Sequence, residues 1–122
     1  MAGTRKRVQR TITREEVNNQ YLVALFNEFI AERKALGRVE ETLKSYKATY
    51  KKFCEYFGDR AEETGNIYGG MFIEWTNAMR DEGLKAATIN HNLSDMRAFI
   101  YWCMDESRQY IPRFRIRLIK VQ

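Results

Sequence analysis

Large apolar residues recur at helical spacing through most of the chain. Leu22, Leu25, Phe26, Phe29 and Ile30 step by three and four, Thr13 with Glu16 reads as a capping box, and Gly37 supplies a stop. This predicts a first helix between Thr13 and Leu36. From about Val39 to Phe57, Leu43, Tyr46, Tyr50, Phe53 and Phe57 keep the same steps, so five large side chains share one narrow face. Gly58 ends this second helix, and Gly65, Gly69 and Gly70 mark the stretch that follows as a loop. A third helix is expected from Tyr68 or Gly70 to Glu82 on Met71, Phe72, Trp75 and Met79, with Gly83 as its stop. A fourth is expected from about Ala86 to Ser107 on Ile89, Leu93, Met96, Phe99, Ile100 and Cys103, and Pro112 bars any continuation. No strand pattern of comparable length precedes Arg113, so the fold class is all-α.

A shift of 46 residues lays the second half of this pattern on the first. Phe26 falls on Phe72, Phe29 on Trp75, Gly37 on Gly83, Thr42 on Thr88, Leu43 on Ile89 and Phe53 on Phe99. Two helix-Gly-helix hairpins would produce such a match, as a real pseudo-repeat or through shared stops and spacing alone.

Composition narrows the reading. With 122 residues, of which 44% are hydrophobic and 13% aromatic, the chain is long enough for one folded core and too apolar for disorder. No apolar run approaches a membrane span, and no signal-type stretch follows the basic N-terminus. A cytoplasmic location is expected, with Cys54 and Cys103 as buried thiols. The net charge of +5 is unevenly spread: residues 1–14 carry +5, residues 113–122 carry +4, and the centre carries −4. Basic ends flanking a folded centre fit a nucleic-acid partner, and they also fit solvated tails. The alternation Arg113-Phe114-Arg115-Ile116-Arg117-Leu118 leaves apolar side chains that a free terminus would expose, so they are expected to pack on something outside this chain.

Catalytic constellations are not found. One histidine, His91, allows no Ser-His-Asp, Cys-His or His-rich metal set, and no phosphate-cradling glycine loop occurs. No cofactor or metal is expected. His91 lies away from the apolar stripe, where either solvent or a nucleic acid would meet it.

Two strings resemble the core-binding, SAM-like domain of phage-integrase-type tyrosine recombinases. One is Phe26-x2-Phe29-x3-Glu32-Arg33-x3-Gly37-x4-Thr42-Leu43-x2-Tyr46, followed by Phe53 and Phe57. The other is Gly83-Leu84-Lys85-x2-Thr88-Ile89-Asn90-x2-Leu93-Ser94-x2-Arg97-x-Phe99-x2-Trp102. The resemblance implies a four- or five-helix bundle of two hairpins over residues 15–112, with a basic arm at 1–14. Residues 113–122 become a linker toward a C-terminal catalytic domain that would lie beyond Gln122. On this reading the chain binds double-stranded DNA without cleaving it. It is a monomer alone, while its parent recombinase works as a tetramer on DNA. Val39, Gly69-Gly70 and Ile111-Pro112 depart from the family's usual capping residues and Asn-Pro.

The family presents the N-terminal halves of its second and fourth helices to DNA. Carried onto this sequence, that nominates Thr42 and Ser45 for bases, with Lys44, Lys47 and Lys52 for charge. Thr49 shares the arc of Thr42 and Ser45, and the lysines read equally as a solvated face. The 46-residue shift adds Thr88, Asn90, His91 and Asn92, with Lys85 and Arg97 for phosphates. It also aligns Thr49 with Asp95, a carboxylate that phosphate would repel unless a base such as Arg97 pairs with it. A helical protein-interaction module and a stand-alone DNA-binding regulator are the alternatives.

Overall fold

The computed structural model describes residues 19–120. They form four α-helices, α1 (Leu22–Ala35), α2 (Glu40–Phe57), α3 (Gly69–Asp81) and α4 (Ala86–Met104), with 3-10 turns at Gly58–Ala61 and Thr64–Asn66. No strand occurs among the described residues, which agrees with the expected all-α, SAM-like class. The fourth helix ends three residues earlier than its apolar pattern suggested, at an extended Asp105.

The first helix starts at Leu22, although the capping-box reading places its start at Thr13. Thr13 and Glu16 lie outside the described residues, as does the basic arm. The backbone just before Leu22 is committed elsewhere: Thr64 N–H donates to Gln20 O at 2.8 Å, and Leu22 N–H donates to Glu62 O at 2.9 Å. Tyr21 thereby faces Glu63 in an isolated antiparallel bridge. Asn19 adds a side-chain clamp, its Oδ1 accepting from Gly65 N–H at 2.8 Å and its amide donating to Glu63 at 2.8 Å. A segment paired across in this way cannot also make helical bonds.

The two hairpins match down to the backbone. Gly37 and Gly83 take φ of 88° and 85°, a left-handed conformation that side chains with a Cβ resist. Gly37 N–H donates to Lys34 O and Arg38 N–H to Arg33 O; Gly83 N–H donates to Arg80 O and Leu84 N–H to Met79 O. Val39 and Lys85 then open α2 and α4 with nearly identical dihedrals, −71°/156° and −72°/153°, and neither side chain caps its helix. The pseudo-repeat is therefore structural.

α4 sits at the centre, packed against α1, α2 and α3. Phe26, Phe29 and Phe99 are all buried, and Phe99 meets Phe26 edge-on at 5.1 Å and Phe29 at 5.4 Å. Burying each such ring contributes about 1.5–3 kcal/mol, so this cluster is a substantial part of the cohesion between α1 and α4. On the other side Phe53 stacks on Phe72 at 5.3 Å and meets Trp75 edge-on at 5.3 Å, which joins α2 to α3. Trp102 Nε1–H donates to Glu32 at 2.7 Å, and the Arg108 guanidinium lies 4.0 Å from its ring. Cys103 is buried and Cys54 half-buried, both free, and burial raises both thiols above their ordinary range.

The C-terminal segment corrects its expected role. Ile111 and Ile116 are buried, and Phe114, Leu118 and Ile119 pack against this domain's own core, so no outside surface is needed to cover them. Ile116 N–H donates to Tyr101 Oη at 3.0 Å, and Phe114 lies 5.9 Å from Phe72, centroid to centroid. A Cβ on Gly69 would stand 3.4 Å from the Phe114 ring, an ordinary contact distance, so the tail packs directly over the start of α3 without requiring glycine there. The alternation is realised with the apolar side chains inward and Arg113, Arg115, Arg117 and Lys120 exposed. None of the helices among the described residues is long and apolar enough to cross a membrane.

Candidate nucleic-acid interface

α2 and α4 meet through residues that the repeat equates. Ser45 Oγ lies 2.8 Å from His91 Nε2, and Thr49 Oγ1–H donates to Asp95 Oδ2 at 2.8 Å. Ser45 Oγ–H also donates to Asp95 Oδ2, at 2.6 Å. Ser45–His91 and Thr49–Asp95 are each 46 residues apart and Ser45–Asp95 is 50, so at their contact the numbers rise together along both helices and α2 and α4 run in the same general direction. Their N-termini lie at one end of the domain, where the positive ends of both helix dipoles fall.

The residues nominated from sequence divide into three groups. Lys44, Lys47 and Lys52 are exposed along α2, as is Lys51; Lys85, Thr88 and His91 are exposed on the first turns of α4; Thr42 and Ser45 are half-buried between them. At 100° per residue Lys52 shares the arc of Thr42, Ser45 and Thr49 that meets α4, whereas Lys44, Lys47 and Lys51 lie in the other arc, across the polar face of α2. Glu40 and Glu41 occupy the first turn of α2, where they suit the helix dipole and oppose phosphate. Any anion meets α2 beyond that turn, at the lysines, while the first turn of α4 carries no acid.

Four nominations need correction. Ser45, half-buried, gives its hydroxyl proton to Asp95 and meets His91 on its other side, so it braces the seam between the helices rather than facing a base. Asn92 is 2% exposed, and its amide points to Met79 Sδ at 3.4 Å, so it lies inside the bundle and offers nothing outward. Asn90 holds the tail: its Nδ2 donates to Ile119 O at 2.8 Å and its Oδ1 accepts from Ile119 N–H at 2.7 Å. Arg97 is half-buried and donates to Ile116 O at 3.4 Å rather than pairing with Asp95. The C-terminal segment takes both atoms of the Asn90 amide and one nitrogen of the Arg97 guanidinium.

Asp95 is the residue whose part the nominations understated. Its side chain is 12% exposed, and its charge is met by two hydroxyls and by His91 Nε2 at 3.5 Å. The signal available in the sequence was the alignment of Thr49 with Asp95, since a hydroxyl and a carboxylate at equivalent positions are complementary once the helices touch. Ser45, His91 and Asp95 do come together, but the carboxylate accepts from the Ser45 hydroxyl and lies on the Nε2 side of the ring, so they lack the Asp–Nδ1, Nε2–Ser order of a catalytic triad. Among the described residues no group of three or more His, Cys, Asp or Glu is placed to hold a metal ion. What it offers is a row of cations beside short polar groups on two parallel helices, which suits a polyanion with readable edges.

A family model described as phage integrase, N-terminal SAM-like domain, matches residues 19–107. Comparisons with curated proteins and with solved structures gave no match.

Proposed function

Because the chain belongs to the phage integrase N-terminal SAM-like domain family, we propose that it is the DNA-binding module of a site-specific tyrosine recombinase. In this reading it holds duplex DNA beside the crossover site for a catalytic domain carried by the same parent chain, and cuts nothing itself. The parent assembles as a tetramer on DNA, and this domain alone is a monomer. The observation that supports the reading best is the exposure of Lys44, Lys47, Lys51 and Lys52 along α2 and of Lys85, Thr88 and His91 at the start of α4, two helices that touch through Ser45 and His91. The lysines neutralise phosphates, while Thr42, Thr88 and His91 are short enough to reach groove edges. Arg113, Arg115, Arg117 and Lys120 form a second exposed basic row along the tail.

The test is duplex binding measured by fluorescence anisotropy across a salt series. Affinity should fall with salt at a log-log slope of about −0.9 per neutralised phosphate. Replacing Lys44, Lys47 and Lys85 together by Ala should make that slope shallower by up to about 2.7. No binding even at low salt, or a slope near zero, overturns the proposal. Binding that ignores the triple replacement places the contact elsewhere and favours a helical protein-interaction module with basic ends.

A further inference from the structure

The three side chains Asp95, Ser45 and His91 form a line from the half-buried seam between α2 and α4 to the surface. A serine hydroxyl has one proton to give. Ser45 gives it to Asp95 Oδ2 at 2.6 Å, because a carboxylate can only accept. At 2.8 Å from His91 Nε2, Ser45 Oγ is therefore the acceptor, and Nε2 must carry the hydrogen. Thr49, 2% exposed, donates to the same carboxylate oxygen and keeps Asp95 in place. In a neutral imidazole with Nε2 protonated, Nδ1 is a bare lone pair. The side chain is 62% exposed, and no described residue bonds to Nδ1.

We infer that His91 is a specificity-determining residue, presented to DNA as a fixed hydrogen-bond acceptor by the Asp95–Ser45 pair. The inference rests on the DNA-binding reading above. In the major groove, cytosine N4 and adenine N6 offer donors, whereas guanine N7 and O6 and thymine O4 offer lone pairs. An acceptor held at Nδ1 is complementary to the first two bases and opposed by the others. Asp95 and Ser45 touch no base in this scheme. They are positioning residues, and their effect runs through the proton on His91. The carboxylate thereby acquires a use at a surface where an unpaired one would only repel phosphate.

Two measurements test this. Long-range proton–nitrogen NMR on the 15N-labelled free domain at about pH 8.5, two units above the ordinary imidazole value, reads the tautomer directly. The wild type should show Nε2–H alone, and Asp95→Ala, which frees the Ser45 proton to turn toward Nε2, should raise the Nδ1–H form. A mixed or Nδ1–H wild-type ring overturns the inference and leaves the DNA-binding proposal standing. The second measurement is selection from a random-sequence duplex library at the same pH. At one position adenine or cytosine should be enriched over guanine or thymine by about three- to tenfold, the value of one hydrogen bond. His91→Ala should abolish that preference and keep the others, and Asp95→Ala should weaken it. His91 is exposed, so H91A carries this arm even if D95A fails to fold. An unchanged preference in H91A, or an equal loss of affinity for every sequence, overturns the base-reading role. Failure to bind any duplex overturns the proposed function itself, whatever the tautomer.

Discussion

Lys47 on α2 is exposed, and its counterpart 46 residues on, Leu93 on α4, is fully buried. The same contrast separates Tyr56, 41% exposed, from Trp102, 9% exposed, and the exposed Lys44 from Asn90, which is turned onto the tail. Two hairpins with one backbone plan have thus been given different work. α2 buries a single stripe and keeps a long polar face. α4 is wrapped by α1, α2 and α3 and, along Asn90, Arg97 and Tyr101, by the C-terminal segment. Only its first turns remain free. On the proposed reading the binding surface draws its charge from the length of α2, with the basic row of the tail as a second source, and its finer contacts from the start of α4.

The largest expected effect breaks the equivalence in the core. Leu93→Ala should destabilise the domain by about 2–5 kcal/mol in urea denaturation, while Lys47→Ala at the matching position should stay within about 0.5 kcal/mol. Equal effects would mean that α2 and α4 are buried alike. Next comes the pair Trp102 and Tyr56. Trp102→Phe removes the indole bond to Glu32 and weakens the stacking under Arg108, which should cost about 1–2 kcal/mol given that Glu32 is partly exposed. Tyr56→Phe loses one exposed bond to Glu74 and should change the unfolding midpoint little.

A smaller effect sharpens the role of the tail. Asn90→Ala should cost about 1 kcal/mol and speed hydrogen exchange at the Ile119 amide, with that of Ile116 following as the segment loosens. Lys44→Ala should leave both amides unchanged. The smallest effect is on pH. Hydrogen bonds from Arg60 and Tyr56 hold the Glu74 carboxyl below its ordinary value of 4.5. A depressed folded-state value means that the unfolded chain binds the proton more readily, so this contribution is present above the ordinary value and lost as pH falls through the folded one. Glu74→Gln should slightly flatten the acid limb of stability against pH.

The helices, their glycine stops and the repeat were legible because all three are local: apolar spacing fixes a face, and Gly37 and Gly83 end helices by their own conformational freedom. Asn92 was legible too, since it stands three residues after Ile89 and four before Met96, on the buried stripe. Counting it as a contact followed its polarity over its position. The start of α1 and the fate of the tail were not legible. The bonds from Gln20 and Leu22 to residues 62–64 join segments far apart in sequence. The site for Ile116 exists only once the bundle has formed. The alternation in 113–119 correctly signalled apolar side chains needing cover, and the cover is this domain itself. Of the candidate surface, the exposed lysines could be read from the helix wheel. That Ser45 meets His91 and Asp95 could not, because it depends on which faces of α2 and α4 meet once the bundle has formed.

The central claim is that duplex DNA is held by the α2 face and the first turns of α4. Amide chemical-shift mapping of the labelled domain during titration with duplex DNA at low salt tests it most directly. The largest changes should fall on Thr42 to Lys52 and on Lys85 to His91, with the outer faces of α1 and α3 unmoved. Shifts concentrated on α1 and α3, or confined to the basic tail while Lys44, Lys47, Thr88 and His91 stay fixed, would contradict it.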